Sequence, residues 1–204
     1  YGYEKFISKT FPTKTIFIIK LEYVVGYTLK SMIGKQLTKE EICSLFKKLL
    51  DDLIFIHSYG ITHGDIKPDN IMFNSERIVL IDFGMGCAPE VYHALHGNIK
   101  CNIGGARKYM APEILAYIDK TGTPKINLYK TDIYSLGRVF QDFCKSHDPE
   151  LCKLIHAMTS ENERDRPSLK TVSDHIGSYC RDVFDSSMQD DNSNTSINDS
   201  RRNS

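Results

Sequence analysis

The chain has 204 residues (23.3 kDa), 41% hydrophobic and 25% charged, and its 26 basic and 26 acidic side chains leave a formal net charge of +0. That length suits one domain or slightly more, with enough chain to bury a core. Balanced charge gives no global field toward nucleic acid or a membrane surface, and no apolar run approaches the roughly 18 residues of a bilayer span, so neither partner is expected.

In chain order, the opening Tyr1-Gly2-Tyr3-Glu4-Lys5 has no initiator Met and no signal-peptide layout. Ile16 to Val25 is rich in β-branched and aromatic residues and predicts a strand stopping at Gly26. Thr38 and Glu41 form a capping-box pattern. Ile42, Leu45, Phe46, Leu49, Leu50, Leu53 and Ile54 then recur at helical spacing, predicting a helix that ends before Gly60. Two short strands, 71–73 and 78–81, flank the polar turn Asn74-Ser75-Glu76-Arg77. Helices are predicted near 112–118, 130–146, 149–159 and 168–182, separated by Gly122, Pro124, Pro149 and Pro167. Residues 185–204 are mostly Ser, Asn and Asp, which predicts a disordered tail that cannot repay its ordering entropy. The six cysteines show no C-x-x-C and read as reduced thiols, implying a cytoplasmic or nuclear, reducing compartment.

Chemistry-bearing residues concentrate in His63-Gly64-Asp65-Ile66-Lys67-Pro68-Asp69-Asn70 and, twelve residues after Asn70, in Asp82-Phe83-Gly84. Carboxylate and amide oxygens at loop positions suit Mg²⁺, and an ammonium suits a phosphate oxygen. Either cluster alone is a weak signal. Both, in this order and spacing, are a strong one.

These residues resemble the eukaryotic-type protein kinase family, whose catalytic loop H-R-D-x-K-x-x-N is followed by D-F-G and A-P-E. The last is Ala111-Pro112-Glu113. Asp132-Ile133-Tyr134-Ser135-Leu136-Gly137 is similar to the start of the family's central helix, Arg166 to the arginine that pairs with the A-P-E glutamate, and Leu21-Glu22-Tyr23-Val24 to the hinge between lobes. The resemblance covers about residues 1 to 182. It implies an α+β, protein-kinase-like fold: a mainly helical C-terminal lobe with only the last strands of the N-terminal lobe. The domains would then be 1–25, a remnant of the N-lobe with the hinge, 26–184, the C-lobe, and 185–204, the tail.

Carried over by position, the resemblance implies that Asp65 orients and deprotonates a substrate hydroxyl while Lys67 neutralises charge on the transferred phosphoryl group. Asn70 and Asp82 would hold Mg²⁺, Glu22 and Val24 would bond adenine through their backbones, and Met72 and Ile81 would floor the ATP pocket. Asp132 would brace the catalytic loop, with Tyr134 and Ser135 in the core. Lys67 is the residue that serine/threonine-directed members carry. The implied activity is serine/threonine-protein kinase: transfer of a phosphoryl group from Mg·ATP to an unidentified protein substrate.

The chain departs from the pattern in three places. Gly64 replaces the arginine, and between Asp82 and Glu113 there is no Ser or Thr, only Tyr92 and Tyr109 as hydroxyl bearers, so activity is expected not to depend on phosphorylation there. Ala106 stands where the family's G-T-x-x-Y pattern places a threonine. No glycine loop and no phosphate-binding strand Lys are present; Tyr1-Gly2-Tyr3 resembles the family's fourth strand, so both belong before residue 1, and this chain alone is expected to be inactive or very weak. Alternatives are a non-catalytic, pseudokinase-type binding module and a small-molecule kinase of the aminoglycoside or choline type, which Gly64 fits and Lys67, Glu113 and Arg166 do not. Separately, Cys87, His93, His96 and Cys101 are ligand types that suit zinc, although solvent-facing His with buried Cys is the commoner explanation of such a set.

Overall fold

A computed structural model describes residues 2–7, 15–74, 77–89, 101–121, 126–144 and 148–199, with side chains described from residue 21 to residue 186 within those ranges. Strand β1 (Gly2–Ile7) pairs antiparallel with β2 (Thr15–Lys20), and their ladder ends with Gly2 opposite Lys20. The predicted strand over 16–25 is therefore cut short, because Leu21–Val25 has no ladder partner and runs as irregular chain. A second sheet has the order β3 (Tyr27–Thr28), β4 (Ile71–Phe73), β5 (Ile78–Leu80), all antiparallel.

Helix α1 (Lys39–Ser58) starts where Thr38 Oγ1 accepts the Glu41 N–H and Glu41 returns a carboxylate to the Thr38 N–H, so the capping box is complete. Four helices follow among the described residues: α2 (Pro112–Ile118), α3 (Leu128–Phe143), α4 (Pro149–Met158) and α5 (Leu169–Asp199). Pro112 and Pro149 stand in the first turns, where no N–H is needed. Asn127 and Asp148 cap α3 and α4 by accepting two backbone N–H bonds each.

The apolar stripe of α1 packs against α3 and α5. Leu49, Leu53, Val139, Phe140, Met158 and Val172 are fully buried, and the Phe46 and Phe140 rings stack with centroids 3.6 Å apart. A smaller cluster of Met110, Ala111 and Ile114 packs beside it. The α+β architecture, a helical lobe with small antiparallel sheets, is the one the sequence implies.

The end of the chain differs from expectation. Helix α5 continues to Asp199, so the backbone of 185–199, assigned by composition to a disordered tail, is helical. No Gly or Pro follows Gly177, and extending a helix already nucleated by packed residues such as Val172 and Ile176 costs far less than starting one. No described helix is long and apolar enough to cross a membrane.

Candidate active site

The cluster His63 to Asn70 sits between the end of α1 and the β4–β5 hairpin, braced by one carboxylate. Asp132 of α3 is 1% exposed, and its Oδ2 accepts the His63 backbone N–H (2.8 Å) and the His57 Nε2–H (2.8 Å), while Oδ1 accepts the Gly64 N–H (2.9 Å). A buried carboxylate is tolerated only when its lone pairs are satisfied, and here three donors converge on it. The result is a fixed backbone immediately before Asp65.

His63 is fully buried, and its tautomer follows from its partners. Nδ1 accepts the Asp65 N–H (3.2 Å), so Nε2 carries the proton and donates to the Ile81 carbonyl (3.0 Å). Burial holds its imidazole below the ordinary value, outweighing the opposing pull of Asp132, the Ile81 carbonyl, Asp65 and Asp82. A neutral His63 thus links the loop to the strand that leads to Asp82.

At Asp65 the predicted residues come together. Lys67 Nζ donates to Asp65 Oδ2 (2.5 Å), and Asn70 Nδ2 donates to the same oxygen and to the Asp65 carbonyl (3.0 Å each). Asp65 Oδ1 accepts the Ala106 backbone N–H (3.2 Å). The Asn70 carbonyl accepts the Ile81 N–H (2.9 Å), which sets Asn70 and Asp82 side by side across the hairpin. Asp82 is exposed in a left-handed conformation (φ 62°), its carboxylate accepting the Gly84 N–H (3.2 Å).

Of the residues expected to line a nucleotide pocket, Glu22 ion-pairs with Arg77, and beside Val24 the Val25 carbonyl accepts Asn74 Nδ2–H (3.0 Å). Both contacts tie the segment holding Val24 to the β4–β5 hairpin. Met72 lies in β4 between Thr28 and Val79, and Ile81 follows β5; both are partly exposed. Asp69, an acidic group near the site, pairs with Lys30 (2.6 Å) at the surface.

Two glycines hold backbone conformations that bear on Asp65, and one of them, Gly64, accounts for a departure from the pattern. Gly64 has φ +78°, and a Cβ there would fall 2.5 Å from the Met85 carbonyl oxygen, so no other residue fits this backbone. Gly105 has φ +123°, and its Cβ would fall 2.5 Å from Asp65 Oδ1. Ala106 brings no hydroxyl to Asp65, and the bond it does supply comes from its backbone N–H. Residue types gave no signal for this contact, because any non-proline residue at 106 carries the donor.

Distal to the site, Glu113 at the start of α2 and Arg166 form a bidentate pair (2.6 and 2.7 Å) with side chains 9% and 0% exposed. The Tyr134 ring lies 4.9 Å from the Arg166 guanidinium, and Ser135 Oγ donates to the Tyr109 carbonyl (2.8 Å). His57 was not singled out by sequence; an isolated His in a helix carries no signal that its partner lies 75 residues away.

One expectation is corrected. Cys87 and Cys101 form a disulfide, Cα atoms 5.6 Å apart, so the six cysteines are not all reduced thiols. Cys87 is fixed by an antiparallel bridge to Thr62, and the chain returns Cys101 to it, a proximity that spacing alone does not reveal. The suggested zinc ligands Cys87 and Cys101 are thereby joined to each other, while His93 and His96 lie outside the described residues. Among the described residues no group of three or more His, Cys, Asp or Glu could hold a metal.

A family model described as the protein kinase domain matches residues 6–149. The chain belongs to the protein kinase family. The kinase domain is 28% identical over 145 residues to CBL-interacting serine/threonine-protein kinase 21 of Arabidopsis thaliana, covering 70% of this chain and 32% of that protein. It is 36% identical over 120 residues to serine/threonine-protein kinase PknG of Mycolicibacterium smegmatis (59% of this chain, 14% of that one). It is 33% identical over 139 residues to a probable serine/threonine-protein kinase of Dictyostelium discoideum (61% and 20%). The matched region thus spans a third or less of each of these relatives' length.

Proposed function

We propose that this kinase domain transfers the γ-phosphoryl group of Mg·ATP to Ser or Thr of a protein substrate, with residues 26–184 as its C-lobe and 1–25 as the end of its N-lobe and hinge. The observation that carries the reading is the convergence of Lys67 Nζ and Asn70 Nδ2 on Asp65 Oδ2. A carboxylate pinned in this way has one geometry in which to receive a hydroxyl proton, and positioning supplies much of the rate in phosphoryl transfer.

The donor set fits Mg²⁺. Hard oxygens are available from the exposed Asp82 carboxylate and from the Asn70 amide, whose nitrogen is committed to Asp65. Two protein ligands are enough, because Mg²⁺ usually keeps waters and phosphate oxygens in its remaining positions. When bound, Mg·ATP supplies the phosphoryl group and the charge that neutralises it. The chain's own part is local: Asp65 orients the substrate hydroxyl and takes its proton, and Lys67 offers a cation beside that carboxylate. The Ala106 N–H holds the other carboxylate oxygen, and Asp132 keeps the loop backbone from shifting. Backbone groups of Glu22 and Val24 would bind adenine above Met72 and Ile81. The serine/threonine-protein kinase names of the three relatives support the choice of acceptor.

The test is phosphotransfer from ATP to a library of Ser- and Thr-containing peptides, using the intact gene product and its Asp65→Asn variant. A fall of about 10²–10⁴ with unchanged thermal unfolding is expected for loss of a proton acceptor. Equal rates for the two proteins would overturn the assignment.

A further inference from the structure

We propose that Cys87 and Cys101 are a reversible thiol–disulfide site that exchanges with a glutathione-type disulfide and, when oxidised, locks the segment after Cys101 onto Asp65. The site is distinct from phosphoryl transfer, although the consequence for activity rests on the function proposed above. Its geometry is a closed circuit. Thr62 and Cys87 exchange two backbone hydrogen bonds (2.7 and 3.1 Å), and Thr62 Oγ1 donates a third to the Cys87 carbonyl (3.2 Å). The disulfide carries the path to Cys101, and five residues later the Ala106 N–H bonds Asp65 Oδ1 (3.2 Å). Asp65 lies three residues after Thr62, so the circuit is closed through the residue assigned to proton transfer. Residue 64 is a glycine that its backbone demands, so no side chain there can hold the segment from the loop side. The covalent link anchors 101–106 at its near end, and the Ala106 bond anchors it at the far end.

The exposures of the two sulfur-bearing residues order the exchange. Cys101 is partly exposed, whereas Cys87 is 7% exposed. In oxidation, the Cys101 thiolate attacks one sulfur of glutathione disulfide and expels one glutathione thiolate. The Cys87 thiolate then attacks the Cys101 sulfur of the mixed disulfide and expels the second. The two protons lost by the cysteine thiols end on two glutathione molecules, so the protein pair is oxidised by two electrons and one glutathione disulfide is reduced. In the reverse direction a glutathione thiolate meets Cys101 first. Cys43 and Cys180 are buried, and burial pushes both thiols above their ordinary value, which keeps them out of this chemistry.

The full chain would be equilibrated across a series of reduced-to-oxidised glutathione ratios, trapped by alkylation and mapped by peptide mass. Amide hydrogen exchange at Ala106 would be read on the same samples. The expected result is a Cys87–Cys101 peptide whose fraction passes through one midpoint, with Ala106 exchanging about tenfold more slowly in the oxidised protein. Cys101→Ser, and Cys101→Ala as a second substitution at the more exposed position, should fix Ala106 at the fast rate at every ratio. Absence of the linked peptide at all ratios would overturn the proposal. So would stoichiometric zinc with both thiols reduced, or a linked peptide with Ala106 exchange unchanged. None of these readouts is phosphotransfer, so a protein that failed to phosphorylate anything would refute the proposed activity and leave the thiol result intact.

Discussion

Substituting Glu113→Gln tests whether burial, and not hydrogen-bond geometry, sets the contribution of an ion pair in this fold. Arg166 is 2% exposed and makes five donated bonds: Nε to the Ser160 carbonyl (2.9 Å), Nη1 to Glu113 Oε1 (2.6 Å) and the Lys130 carbonyl (3.1 Å), and Nη2 to Glu113 Oε2 (2.7 Å) and the Glu161 carbonyl (3.4 Å). Glutamine keeps one acceptor but turns an NH₂ toward an N–H donor, and the guanidinium loses its counter-charge. Breaking a buried pair from one side costs about 3–5 kcal/mol. For a chain of this length each kcal/mol moves Tm by about 2–4 °C, so a fall of roughly 6–20 °C is expected by calorimetry or circular dichroism. The control has the same geometry in water: Arg107 grips Asp119 through two bonds of 3.0 and 2.7 Å, with side chains 63% and 40% exposed. Asp119→Asn should leave Tm within error. A Tm for Glu113→Gln within about 2 °C of the parent would refute the buried-pair argument. Equal losses for the two variants would show that geometry alone sets the effect.

Gly105→Ala should lower Tm, because φ +123° strains any side chain, and should also lose most phosphotransfer, because its Cβ would collide with Asp65 Oδ1; an unchanged Tm with retained activity would refute the close approach. Thr38→Ala should cost about 1 kcal/mol through loss of the capping box that starts α1, measured by urea titration. Two groups predict opposite pH trends. His63 has a lowered value in the fold, so the unfolded chain takes up the proton first, and stability should fall as pH drops below about 6.5. Asp52 is pushed up to about 6, first by burial and then by the Asp51 charge, so its contribution is present below about pH 4 and lost as pH rises through 6. Asp52→Asn should therefore raise Tm at pH 7 but not at pH 4, and an equal change at both would contradict the assignment.

Local chemistry was written plainly in the sequence. The Thr38–Glu41 cap and the apolar spacing from Ile42 to Ile54 place α1, and Pro112 and Pro149 begin helices at the predicted residues. The spacing of Asp65, Lys67, Asn70 and Asp82 picked out a cluster whose members the hairpin brings together. These signals are legible because each depends on neighbours a few residues apart. What only the tertiary structure decided are contacts between distant positions that leave no periodic trace. They include the His57–Asp132 bond across 75 residues, the Cys87–Cys101 disulfide, the requirement for glycine at 64 and the bond from the Ala106 N–H to Asp65. The helical backbone beyond residue 185 belongs with them. A polar composition argues against order in isolation, but α5 is already nucleated by its packed half, and propagation from that half has no breaker to stop it.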